Sequence, residues 1–129
     1  MAMPMNHEAM ISKRSLGTQY EEKAALALES LGYVILDKNV NYRWGEIDLV
    51  TIDQDKKELV FVEVRHRAEN SMTSPAESIT PTKLIRLKRA INSYLVSPQF
   101  GRRGLNLNGV RIDLIAFEGE RMSHWKQFI

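Results

Sequence analysis

The apolar positions of this chain change period twice. From Tyr20 they recur at helical spacing, with Tyr20, Ala24, Ala27, Leu28 and Leu31 on one stripe, and Gly32 follows as a natural C′ residue. This predicts a first helix over roughly residues 15–31. Glu21 falls in line with Ala24 and Leu28, on or beside the buried stripe, where a glutamate either snorkels to solvent or has work inside. The spacing then shortens. Tyr33 to Leu36 reads as a strand, and Asp37 to Trp44 as its polar continuation.

Gly45-Glu46-Ile47-Asp48-Leu49-Val50 and Leu59-Val60-Phe61-Val62-Glu63-Val64-Arg65 flank a turn-prone stretch, Asp53 to Glu58, so they predict an antiparallel hairpin. A turn centred near Asp55 and Lys56 pairs Ile52 with Leu59, Val50 with Phe61, Asp48 with Glu63 and Glu46 with Arg65 on one face. Ile47, Leu49 and Thr51 then face Val60, Val62 and Val64 on the other. Both faces are apolar, so the hairpin is buried on both sides, where an ionised carboxylate is costly unless paired or bound to a metal. Opposed carboxylates of this kind suit Mg²⁺ or Mn²⁺, which take oxygen ligands and leave positions for water and phosphate. A structural network with Arg65 between Glu46 and Glu63 satisfies the same spacing. The pattern alone leaves both open.

After Arg67 comes a polar, proline-punctuated stretch, Ala68 to Pro75, long enough for a mobile loop or lid. Thr80-Pro81 supplies an N-cap and a proline at the first helical position. The helix it opens has the stripe Leu84, Leu87, Ile91, Tyr94 and Leu95 and closes before Pro98. Lys83, Arg86, Lys88 and Arg89 occupy its other faces, and Arg102 and Arg103 follow in a glycine-bracketed connection. Such a run is either a solvated face or a set of phosphate contacts. Val110 to Phe117 is a strand, Glu118-Gly119-Glu120 a tight turn, and Met122 to Phe128 a short closing segment. The order of elements predicts an α/β domain with a central mixed sheet flanked by helices.

Composition narrows the chemistry. There is no cysteine in 129 residues, which removes thiolate zinc sites, Cys nucleophiles and disulfides. No two of the three histidines, His7, His66 and His124, have metal-ligand spacing, and no Gly-rich phosphate loop is present, so a small-molecule metalloenzyme has little support. His66 is expected to cap or pack, Trp44 beside the site either stacks on a base or, as expected here, covers the end of the sheet, and Asp113 is expected to pair with Arg111 or with a base of the second helix. A net charge of +2 confines any nucleic-acid surface to a local patch. No apolar run is long enough for a membrane span or signal peptide, so the expectation is a soluble, cytoplasmic protein.

The helix-one glutamate at Glu21, the G-E-I-D-L run at Gly45 to Leu49, and Phe61 to Arg67 in place of F-V-E-V-K-x-R together resemble the bacterial UPF0102 family. So do Gly32, Asn39, Ile79, Lys83, Arg86, Ala90, Tyr94-Leu95 and Arg111-Ile112-Asp113. The resemblance covers roughly residues 17–128. It implies a restriction-endonuclease-like fold, similar to archaeal Holliday junction resolvases; with the polar start of the chain read as a disordered tail over 1–13, one endonuclease-like domain is expected over 14–129. It further implies a Mg²⁺- or Mn²⁺-dependent nuclease site in which Asp48 and Glu63 ligate the metal, with Glu21 binding directly or through water. Arg65 would contact phosphate. Lys83 and Arg86, and by their charge alone Arg102 and Arg103, would contact nucleic acid, DNA in a branched or structured form, and a homodimer would suit symmetric cutting. Three positions depart from the pattern: Arg65 replaces a lysine, Tyr20 a glycine and Asn41 an arginine. Arginine cannot serve as a general base, so the alternative is a noncatalytic nucleic-acid-binding or protein-interaction module.

Overall fold

A computed structural model of the protein describes residues 13–67, 77 and 79–129. Helix α1 (Lys13–Ser30) leads into an antiparallel meander of β1 (Tyr33–Tyr42), β2 (Gly45–Asp53) and β3 (Glu58–Arg67). Helices α2 (Pro81–Leu95) and α3 (Pro98–Arg102) then carry the chain to β4 (Gly109–Glu118), parallel to β3, and β5 (Arg121–Trp125) closes against β4. The five strands lie in sequence order in one mixed sheet, and the fold is α/β with helices on both faces. The expected tail over 1–13, apart from residue 13, and the loop Ala68 to Pro75 expected as a lid lie outside the described residues.

Burial on both faces explains the unbroken apolar run of β3. Ala24, Ala25 and Leu28 of α1 pack on Leu49, Val60, Val62 and Val64, while Leu87, Ala90, Ile91 and Tyr94 of α2 pack on Val50, Leu59 and Phe61. The stripe of α1 ends one turn earlier than its spacing suggests: Leu31 is 61% exposed. Thr80 caps α2 as expected, its Oγ1 accepting from the Lys83 N–H at 3.2 Å. The connection after Pro98 is not irregular throughout. Ser97 and Pro98 repeat the cap-and-proline signal of Thr80 and Pro81 and open α3, with Ser97 Oγ accepting from the Phe100 N–H at 3.2 Å.

On the α1 face, past the end of that helix, the sheet carries a buried polar network instead of apolar side chains. Arg111 donates to both oxygens of Asp113 (2.8 and 3.0 Å), to Asp53 (3.0 Å), to Glu58 (2.9 Å) and to the Tyr33 hydroxyl (2.8 Å). Asp113 also meets His124 Nε2 at 2.8 Å and accepts from the Gln127 N–H at 2.9 Å. The expected pairing of Asp113 with Arg111 is therefore present, at the centre of a larger set.

Candidate active site

The register of the β2–β3 hairpin follows expectation from Ile52↔Leu59 through Val50↔Phe61 to Leu49↔Val62, and there the ladder stops. Asp48 does not pair across from Glu63, nor Glu46 from Arg65. The first half of β2 instead stays with β1, in the pairs Val40↔Ile47, Asn41↔Glu46 and Tyr42↔Gly45, while β3 runs on alongside β4. Ile47 packs into the α2 cluster although Leu49, two residues on, belongs to the α1 cluster, so the alternation of faces breaks at Asp48. Period-2 reasoning alone does not foresee such a break. The carboxylate of Asp48 occupies the gap, its Oδ2 accepting from the Val64 N–H at 2.8 Å where a strand carbonyl would otherwise sit.

Gly45 explains why β2 can leave β3 here. A Cβ at this position would lie 2.2 Å from the carbonyl oxygen of Arg86, so only glycine lets the start of β2 seat against the α2 backbone. The divergence opens a cavity of about 810 Å³ at this end of the sheet. Its walls come from the first turns of α1 (Gly17, Thr18, Glu21), from β1 (Asn39, Asn41), from β2 (Glu46, Asp48), from β3 (Glu63 to His66) and from Lys83 of α2. A smaller adjoining cavity of about 250 Å³ adds Arg86 and Leu87.

The acids in this space lack adequate counter-charge. Glu21 shares a hydrogen bond with Asp48 and another with Asn39, whose φ of 51° places it in the left-handed region that asparagine tolerates. Glu21 Oε1 is buried and has no hydrogen-bond partner. Burial first, then the neighbouring Asp48, pushes both Glu21 and Glu63 up to about 8. Asp48 is also raised by burial, against the opposing effect of the Val64 N–H. Arg65 Nη1 stands 3.9 Å from Glu63 Oε1, at the outer limit of an ion pair, and Lys83 acts on Glu63 from farther off. Among the described residues no three His, Asp or Glu side chains are placed to hold a metal ion as they stand.

The cavity thus brings together Glu21, Asp48, Glu63, Arg65 and Lys83, with Arg86 beside them. Arg102 and Arg103 line neither cavity. Arg103 is engaged by Asp37 at 3.0 Å, and that same carboxylate accepts from the Tyr94 hydroxyl at 2.5 Å, so Arg103 fastens the α2–α3 corner to β1. Glu46 is a fourth acid of the site, raising the other three; sequence pairing had assigned it to Arg65. Asn39 and Asn41 stood out in the sequence only as a match to the family pattern and a departure from it, and both line the cavity. His66 packs, stacked on Tyr20 with ring centroids 4.6 Å apart.

Fold and site define an α/β protein with a carboxylate-lined cleft where two central strands part. Comparison with known sequences places it further: the chain belongs to the family described as "Uncharacterised protein family UPF0102", whose profile matches residues 20–117. A UPF0102 protein of Marinobacter nauticus is 41% identical over 113 residues, covering 88% of this chain and 86% of its own. One from Burkholderia pseudomallei is 40% identical over 111 residues, covering 86% and 72%, and one from Vibrio cholerae 35% identical over 121 residues, covering 92% and 95%. Among the described residues no helix is long and apolar enough to cross a membrane.

Proposed function

We propose that the cleft is the site of a divalent-metal-dependent nuclease acting on DNA, on the scaffold of a restriction-endonuclease-like fold. The observation that carries this reading is an acid cluster whose members stay raised despite Arg65 and Lys83, with a buried oxygen of Glu21 left without a hydrogen-bond partner. Natural proteins rarely leave buried acids together unless a cation or a reaction needs them. An all-oxygen donor set of Asp48, Glu63 and Glu21 suits Mg²⁺ or Mn²⁺, with Glu21 and Glu63 turning toward Asp48 to complete it. Once bound, the ion supplies Lewis-acid polarisation of a phosphoryl oxygen and acidifies a water.

The chain's own residues do the rest. Asp48 is fixed by the Val64 N–H in the gap between strands, which holds its second oxygen toward the cavity's acids. Arg65, permanently charged, holds the scissile phosphate and offsets charge in the transition state without taking a proton. Lys83 and Arg86, on the first turns of α2, hold flanking phosphates where the two cavities join. Branched or structured DNA fits an open cleft read by backbone charge.

A cleavage assay in Mg²⁺ and Mn²⁺ against duplex, single-stranded, flapped and four-way DNA, comparing the natural chain with Asp48→Ala, tests the reading. Metal-dependent cutting that disappears in the variant supports it. Equal traces in both, or none, contradict it. The contact between Arg65 and Glu63 favours a second reading, a noncatalytic nucleic-acid-binding or protein-interaction module in which that pair is structural.

A further inference from the structure

The two-residue turn Arg43-Trp44 joins β1 to β2 beside the cleft, and its tryptophan is not sealed into the fold. Of its two readings, a cover for the end of the sheet or a surface for a base, the first does not account for an exposure of 46%. Its ring lies parallel to that of Tyr42, with centroids 5.9 Å apart and planes 8° from parallel, and its indole N–H donates to Ser93 Oγ at 2.9 Å. The ring is thus held in orientation from two sides, while nearly half of it remains in water. A side chain that only sealed the sheet end would bury that area, since apolar surface left in water forgoes about 25 cal/mol per Å².

The surroundings point to the occupant. Ser93 shares a flank of α2 with Arg86 and Arg89, at spacings of seven and four residues, and both arginines are exposed. Arg86 lines the smaller cavity, and the backbone of Gly45, next to Trp44, sits directly on Arg86. A basic track therefore runs from Lys83 at the cleft to Trp44, about 15 Å along the helix at 1.5 Å rise per residue. Cations spaced along a track beside a rigidly held, exposed aromatic ring are the combination that binds single-stranded nucleic acid: phosphates on the cations, a base on the ring. Bases within a duplex are already stacked on one another and have no face to offer.

We propose that Trp44, backed by Tyr42 and oriented by Ser93, is a stacking platform for an unpaired base of the DNA strand whose phosphates run along α2. This rests on the proposed DNA-directed function of the cleft, and it narrows the substrate class to DNA with unpaired nucleotides beside the cut site. Stacking recognises any base, so the platform adds affinity for unpaired strand without sequence preference.

The test uses the full chain with Trp125→Phe, which leaves Trp44 as the sole tryptophan. Without divalent cation, so that strands stay intact, its fluorescence is titrated with an oligothymidylate and with an abasic strand of equal length and charge. The platform predicts quenching by the first strand only and about tenfold tighter binding of it. Trp44→Ala in the natural chain should bring the base-bearing strand down to the abasic level, leaving abasic and duplex affinity unchanged. Because quenching is read on the native side chain, the test stands even where the alanine variant is destabilised. Equal binding of both strands without quenching overturns the platform and leaves the proposed function intact; binding of neither strand, nor of duplex, overturns the proposed function and the platform with it.

Discussion

The two ends of the β2–β3 hairpin each hold an aspartate on β2 and a glutamate on β3, and the protein treats them in opposite ways. At the turn end, Asp53 and Glu58 are register partners clamped by one arginine, Arg111, which also holds Asp113. Burial alone would raise Asp53 and Asp113, yet hydrogen bonds from Arg111, with His124 on Asp113, keep both carboxyls below the usual range. At the open end, Arg65 stands 3.9 Å from Glu63, and burial raises both Asp48 and Glu63, with Asp48 adding to the rise of Glu63 and Glu46 to that of both. The same residue types, with the two aspartates similarly covered from solvent, are thus structural at one end and held without adequate neutralisation at the other. Burial of an acid does not by itself mark a site; burial without compensation does.

The contrast breaks most visibly at Arg111. Arg111→Ala strands three carboxylates and should cost about 3–5 kcal/mol in urea unfolding at pH 7. An unchanged midpoint would mean that the turn-end network is not what neutralises those acids. Arg65 comes next. If the cleft is a nuclease slowed by an arginine where a base-competent lysine would serve, Arg65→Lys should raise the metal-dependent cleavage rate by about 10²-fold with little change in binding. A less stable, still inactive variant would favour the binding module, because lysine lacks the guanidinium's planar reach.

A smaller effect separates the two ends by pH. Glu21 and Glu63, raised to about 8, keep protons that the unfolded chain releases near 4.5. Metal-free protein should therefore be most stable with respect to this cluster below about 4.5 and lose that stability as pH rises through about 8. Asp53 and Asp113 act in the opposite sense: their contribution is present above the ordinary aspartate range and is lost as pH falls through their lowered values. Thermal melts from pH 5 to 9 should show the decline, and Glu63→Gln should flatten it while adding on the order of 1 kcal/mol at pH 8. A flat profile for the natural chain would place compensating charge in the cleft.

Much of this contrast was legible in the residues. Glu21 in line with Ala24 and Leu28, two acids inside a doubly apolar hairpin, and the Thr80-Pro81 cap each carry a physical signal, and the structure brings Glu21, Asp48 and Glu63 to one cavity. The break of face at Asp48 was not legible, because alternation is a local rule and the parting of β2 from β3 depends on Gly45 seating against α2. The partner of Arg103 was hidden for a related reason. A cation's sequence neighbours do not reveal Asp37, which lies 66 residues away on β1. Arg111 looked like half of a local pair, and its wider network appears only when β4 meets the hairpin turn.

The smallest expected effect concerns the cations of α2. Replacing Lys83 and Arg86 together should flatten the line of log affinity for duplex DNA against log salt by about two units, one per lost phosphate contact. Replacing Arg103 should leave that slope unchanged, since its guanidinium is engaged by Asp37. An unchanged slope in the double variant would return this face of α2 to ordinary solvated charge.

The central claim, that the open end of the hairpin is built to receive a divalent cation, is tested most directly by titrating Mn²⁺ into the full chain and following the loss of the free-ion paramagnetic signal. The account predicts one saturable ion per chain at pH 8. Binding should weaken as pH falls toward 5, where Glu21 and Glu63 hold their protons, and it should vanish in Asp48→Asn but persist in Arg111→Met so long as that variant is folded. Stoichiometric binding that survives Asp48→Asn, or no binding by the natural chain at pH 8, would contradict it.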